Sequence, residues 1–241
     1  MPVSAHFFEK DWDLDFKAEL YKQEFYATGA CAGGSIKKLV VPPWDRSITA
    51  ELRDLRRLKD EERPDHIGDI IREQDSAALI KLWYELLGIG RVSHPRTSEL
   101  LHATMYLAGS VTTFFKAQFD RVRPASLMPD LAPPIPTPRL PAYPGGHATQ
   151  IYLMSLTLAD LMPARADEIN ERAKRVALNR ERAGVNYRSD TVAGRQLAGE
   201  MFRILRDECP RFQTTFAQAK NDAPWESPAD PDVLEKSGLP V

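Results

Sequence analysis

An all-α, soluble helical bundle is the fold class this sequence predicts, and three observations predict it. No stretch alternates apolar and polar residues over the length of a strand. Apolar residues instead recur at spacings of three and four, which places them on one face of a helix. Seven of the nineteen prolines gather between positions 129 and 144, leaving the stretches on either side free to form long helices.

Taken in order, residues 1–45 carry Gly29, Gly33 and Gly34 and then Pro42-Pro43, and the expectation is an irregular wrap around a larger body. A single helical domain is expected over 46–220. ITAELRDLRRLKDEE repeats apolar positions at helical spacing among many charges, as a surface helix does. PDHIGDIIREQ and SAALIKLWYELL follow, the second stopped by Gly88 and Gly90. Leu101, Met105, Ala108, Thr112, Phe115 and Phe119 then define the clearest stripe. The proline run 129–144 can be neither helix nor central strand, so it reads as a long, stiff surface connection, of the kind that more often serves function than accident.

Three further helices are expected. ATQIYLMSLTLADLM aligns Ile151, Met154, Leu158 and Leu161. Residues 167–182 align Ile169, Ala173 and Val176, with Arg180 as the next step. A last helix, after Ser189-Asp190, aligns Ala193, Leu197, Met201 and Ile204. The tail 221–241 is polar and proline-rich, suited either to move freely or to clasp a partner.

Composition removes several function classes. With 43% apolar and 27% charged residues the 241-residue chain is ordinary for a globular protein. Its net charge of −2 argues against nucleic acid as a partner, so any positive patch must be local. No window approaches the length of apolar sequence that spans a bilayer. Cys31 and Cys209 make neither a disulfide framework nor a metal pattern. No basic segment followed by an apolar run opens the chain, and a cytoplasmic location is expected, a trimmed signal being the alternative.

Chemistry is suggested at three places. Arg180 continues an apolar stripe, where a guanidinium is either a snorkelling helix-end residue, a partner of Asp190, or a cation turned inward for an anion. In KAQFDRVRP, Lys116 and Arg123 stand at a helix end, where basic residues commonly complement the dipole and meet water. Pro124 would nonetheless hold Arg123 rigidly. In PGGH, residues Gly145, Gly146 and His147 open a helix, so bare amides and the positive dipole end could cradle an anion. His147 could there give up a proton, or simply cap the helix.

The three blocks in this order resemble the superfamily of type 2 phosphatidic acid phosphatases, bacterial non-specific acid phosphatases and vanadium haloperoxidases. Its signature is K-x6-R-P, then P-S-G-H, then S-R-x5-H-x3-D. Here KAQFDRVRP, PGGH and NRERAGVNYRSD stand in their places, and the resemblance covers about 95–208. It implies a helical bundle in which Lys116, Arg123 and Arg180 bind the oxygens of phosphate or vanadate, with the amides of Gly145 and Gly146 beside them. It further implies His147 as the general acid, Asp190 as the residue that orients the nucleophile, and no metal or other cofactor beyond the bound oxyanion. A small anionic molecule is the expected substrate. A homodimer is a further expectation, resting on the resemblance and on the irregular ends.

Three positions depart from the pattern. Gly145 replaces a Ser and loses its hydroxyl, leaving its amide. Asn179 replaces the Ser before Arg180. Asn186 stands where the superfamily has its nucleophilic or vanadium-bound His. An amide nitrogen is delocalised into its carbonyl, so it neither attacks phosphorus nor ligates vanadate, although it can still donate and accept hydrogen bonds. A working haloperoxidase is therefore not expected. A phosphoesterase that avoids the covalent intermediate, an oxyanion-binding protein without turnover, other chemistry on an anionic substrate, and a His deliberately replaced by Asn all remain compatible with the sequence.

Overall fold

The computed structural model describes residues 9, 12–29, 36 and 39–222. Among them all regular structure is helical: α1 Leu14–Ala27, α2 Ile48–Glu61, α3 Arg63–Arg72, α4 Ser76–Leu87, α5 Pro95–Phe119, α6 Pro124–Leu127, α7 Gly146–Leu161, α8 Ala166–Arg182, α9 Arg188–Glu208 and α10 Pro210–Ala219. Among those residues no helix is long and apolar enough to cross a membrane. The tail from 223 onward lies outside the described residues.

At the centre stands α7, packed between α5, α8 and α9. It is buried nearly all round, from Ala148 to Ser155 and again at Thr157, Leu158 and Leu161. Its hydroxyls cost little there because they return to helix carbonyls: Thr149 bonds Gly145 O, Ser155 bonds Tyr152 O, and Thr157 bonds Leu153 O. One contiguous core joins α7 to Leu100, Leu101, Leu107 and Val111 of α5 and to Leu197, Met201 and Leu205 of α9. The stripes expected on α5, α7, α8 and α9 all turn inward.

Where the structure differs, the reason is packing. The segment expected to be an irregular wrap contains α1, whose Ala18, Tyr21 and Phe25 are buried against α5 and α10. That stripe is short and surrounded by charges, and only the groove that receives it makes it evident. Helix α10 was not among the expected elements either. It starts at Pro210, a favoured first helical residue, and buries Phe212 and Phe216. The proline run lies largely at the surface as expected but is anchored inward: Leu131, Ile135, Ala142, Tyr143 and Pro144 are buried, and the carbonyls of Leu140, Pro141 and Ala142 face the cations described below. The last of the expected helices begins at Arg188, so Ser189 and Asp190 lie within its first turn rather than before it.

Candidate functional site

The C-terminal end of α5, the α3–α4 turn, the N-terminus of α7 and the α8–α9 turn surround a cavity of about 330 Å³. Lys116, Arg123, His147, Arg180, Asn186 and Gly146 line it together. Local rules explain how each is presented. Lys116 sits in the last turn of α5. Arg123 is the extended residue before the single turn of α6, fixed by Pro124. Arg180 lies near the end of α8, whose chain then turns at Gly184, a left-handed residue (φ +75°) where a Cβ would come within 3.2 Å of Leu131. That turn carries the chain back so that the amides of Val185 and Asn186 both bond Arg180 O.

All three cations are buried, with relative exposures of 4% for Lys116, 8% for Arg123 and 5% for Arg180. Among the described residues none of them forms an ion pair; the two carboxylates whose charge acts on them are paired elsewhere, Asp190 with Arg121 and Glu73 with Arg172. Backbone carbonyls stand in. Lys116 Nζ donates to Pro141 O at 2.6 Å and Ala142 O at 3.0 Å. Arg123 donates to the carbonyls of Leu140, Pro141 and Val185 and to Asn186 Oδ1. Arg180 has one long bond, 3.3 Å to Gln74 O, and its buried Nε has no partner.

Carbonyl dipoles do not replace a counter-ion, and the ionisation equilibria reflect that. Burial, then the charge of Arg123, pushes the Lys116 ammonium down to about 7. The same two causes bring Arg180 down to about 10, and burial lowers Arg123. His147 donates from Nε2 to Glu73 O at 3.0 Å, a contact only a protonated nitrogen can make with a carbonyl. The ring is partly buried, and enclosure by protein followed by the charge of Arg180 pushes its pKa down to about 3. His147 is therefore a neutral imidazole with its proton on Nε2.

Asn186 has every polar atom engaged. Its Oδ1 accepts from Arg123 at 3.2 Å, and Nδ2 donates to Ala142 O at 3.3 Å and to Asp190 Oδ2 at 3.1 Å. Asp190 Oδ2 also accepts from Tyr187 N at 2.8 Å, closing the first turn of α9. Asp190 thus orients residue 186, whose side chain here is an amide.

At Gly145 the structure departs from expectation. Its amide donates to Asp190 O at 2.9 Å and is not available to an anion. A Cβ at Gly145 would lie 2.8 Å from that same oxygen, and one at Gly194 would lie 2.6 Å from Gly145 O. A side chain at either position would clash, because α7 and α9 approach backbone to backbone. Gly146, which does line the cavity, begins the run of α7 amides that have no backbone acceptor.

Sequence reasoning missed three residues. Arg121 is 4% exposed and bridges Glu51, at 2.5 Å, and Asp190, at 2.7 Å, with its guanidinium 3.8 Å over the Tyr187 ring. Glu51 reaches across from α2 and also accepts from Ser189 N at 2.8 Å. Glu73, 2% exposed, places the carbonyl that holds His147, while its carboxylate accepts from Arg172 and from Asn179, both at 2.9 Å. Burial raises the pKa of Glu73. Arg121 had a signal, standing inside the first block; Glu51 and Glu73 had none, because one lies in the heavily charged α2 and the other caps α3, and nothing in their spacing separates them from the exposed charges around them. A larger cavity of about 640 Å³ lies beyond Glu73 and Asp75, but it holds mixed charges and none of the three unpaired cations.

No family model matches the chain. An 81-residue stretch is 31% identical to the non-specific acid phosphatase of Salmonella typhimurium, strain LT2, and equally to that of Salmonella typhi. It amounts to 34% of this chain and 32% of each relative, so the match spans about a third of the length of these curated relatives. Over that stretch the chain bears a distant likeness to phosphatases.

Proposed function

We propose that the cavity binds the phosphate group of a small phosphoester between Lys116, Arg123, Arg180 and the first amides of α7, and that the protein hydrolyses it without a covalent intermediate. One observation carries the reading: three buried cations converge on one cavity, and among the described residues none of them is ion-paired to a carboxylate. Burying charge without a counter-ion is costly, so the arrangement suits a ligand that brings the negative charge. The same cations would stabilise the equatorial oxygens of the transition state.

With Asn186 at the nucleophile position, water attacks phosphorus in line, its proton passes to a phosphate oxygen, and the bond to the ester oxygen breaks. A phosphate dianion beside His147 reverses the influence of Arg180 and favours the imidazolium, which then gives its proton to the departing oxygen. Asn186 holds Arg123 and Asp190 in place and takes no part in bond making.

The competing reading, an oxyanion-binding protein without turnover, draws on the saturation of Asn186 by three partners. An aryl phosphate assay from acid to neutral pH separates the two, using the protein and its Asn186→His variant. Turnover by the unaltered protein supports hydrolysis; turnover only after Asn186→His supports the binding protein. Inorganic phosphate or vanadate at a hundredfold excess over Kd should raise Tm by about 5–10 °C, and Arg123→Ala should abolish the rise. No rise with either anion sinks the oxyanion site itself.

A further inference from the structure

Beyond the phosphate-binding end, the cavity runs along α5 from Lys116 to Gly109, a distance of about 10 Å at the helical rise per residue. Its walls there are Gln74, Asp75, Ser76, Thr112, Thr113 and Gln150, with Pro138 and Leu140 as the apolar contribution. Six hydrogen-bonding side chains thus face two apolar ones. Among the described residues no Phe, Tyr or Trp lines the cavity, and the His147 ring lies at the phosphate end, so this end offers no aromatic platform for a nucleobase or an aryl group. A single leucine and a proline make no slot for an acyl chain.

The polar groups keep capacity for a ligand. Asp75 Oδ1 accepts from Ala78 N, which caps α4, and Oδ2 has no partner among the described residues. Ser76 donates to Gln150 Oε1 at 3.0 Å, leaving its own oxygen free to accept. Thr113 donates to Gly109 O and likewise keeps its acceptor side. Gln150 Nε2 has only a long bond, 3.4 Å to Met105 O. The Asp75 carboxylate would also repel a second phosphate at this end.

We infer that the molecule held here is the monophosphate of a small polyhydroxylated alcohol, its hydroxyls bonded by Asp75, Ser76, Thr113 and Gln150. The inference rests on the oxyanion reading above. A site built to hydrogen-bond hydroxyls discriminates sharply against analogues that lack them, because its own polar groups are then left unpaired. An ammonium on the alcohol could also meet Asp75, but Ser76, Thr113 and Gln150 would then have nothing to bond.

Isothermal titration of the full chain with inorganic phosphate, n-butyl phosphate, phenyl phosphate, phosphoethanolamine and a hexose 6-phosphate tests this without requiring turnover. The hexose phosphate should bind about ten-fold or more tightly than each of the others, and Thr113→Val combined with Ser76→Ala should narrow that ratio. Equal affinities for phosphate, butyl phosphate and hexose phosphate would overturn the inference while leaving the oxyanion site standing. Tightest binding by phenyl phosphate or phosphoethanolamine would overturn it in favour of an aryl or amino alcohol. Failure of every ligand, inorganic phosphate included, would overturn the oxyanion reading and this inference with it.

Discussion

Asn179 Nδ2 lies 2.9 Å from Glu73 Oε2, joining the residue before Arg180 to the residue whose carbonyl accepts the His147 proton. Asn179 also accepts from Arg182 at 3.0 Å. The change from the signature serine thus has a local partner: a longer side chain reaches a buried carboxylate that a serine would leave to Arg172 alone. Asn179→Ser should lower stability by about 1–3 kcal/mol through the loss of that bond, read by chemical denaturation. The His147 ring resonances should move as well, since Glu73 fixes the imidazole.

Arg121 is the counter-ion for two buried carboxylates. Arg121→Met leaves Glu51 and Asp190 unpaired and should cost about 3–5 kcal/mol, seen as a lower denaturation midpoint. Adding Glu51→Gln removes one of the stranded charges, so the double variant should recover part of the loss. Strictly additive effects would mean that the two residues are not coupled.

Lys116 sets a pH dependence. Its pKa is about 7, lowered from its usual value by burial and Arg123. Between about 7 and the unfolded value the unfolded chain holds one more proton than the folded one, so this group makes the protein more stable as pH rises through that window. A bound phosphate dianion raises the pKa again, so binding at pH 8 should take up a proton and weaken toward higher pH. Calorimetry in buffers of different ionisation enthalpy measures the uptake; no buffer dependence at pH 8 would contradict it.

Restoring the signature serine should do harm. In Gly145→Ser the new Cβ meets Asp190 O at 2.8 Å, and the atom in the way is backbone. Separating α7 from α9 should cost about 1–3 kcal/mol, lowering Tm with no gain in phosphate affinity.

Much of the fold was legible. Stripes on α5, α7, α8 and α9 carry enough consecutive apolar positions to declare their period whatever they pack against. In α1, Ala18, Tyr21 and Phe25 are separated by charged residues, and the helix is recognisable only from the groove on α5 that receives it. The candidate site divides in the same way. Lys116, Arg123, His147, Arg180, Asn186 and Gly146 are brought to one cavity, and Asp190 lies directly behind Asn186. Gly145 belongs instead to a close helix crossing, because its amide found a carbonyl from α9, and contacts between distant backbones leave no trace in spacing.

The sequence by itself determined the helical class, the order of the long helices and which side chains form the cationic set. Only the tertiary structure decided which of those charges are neutralised. Arg121 and Arg123 stand two residues apart in one block, yet Arg121 is held by Glu51 from α2 and Asp190 from α9, while Arg123 meets carbonyls and the Asn186 amide. Charge pairing depends on what arrives across space at about 3 Å, and a linear pattern carries no record of that distance.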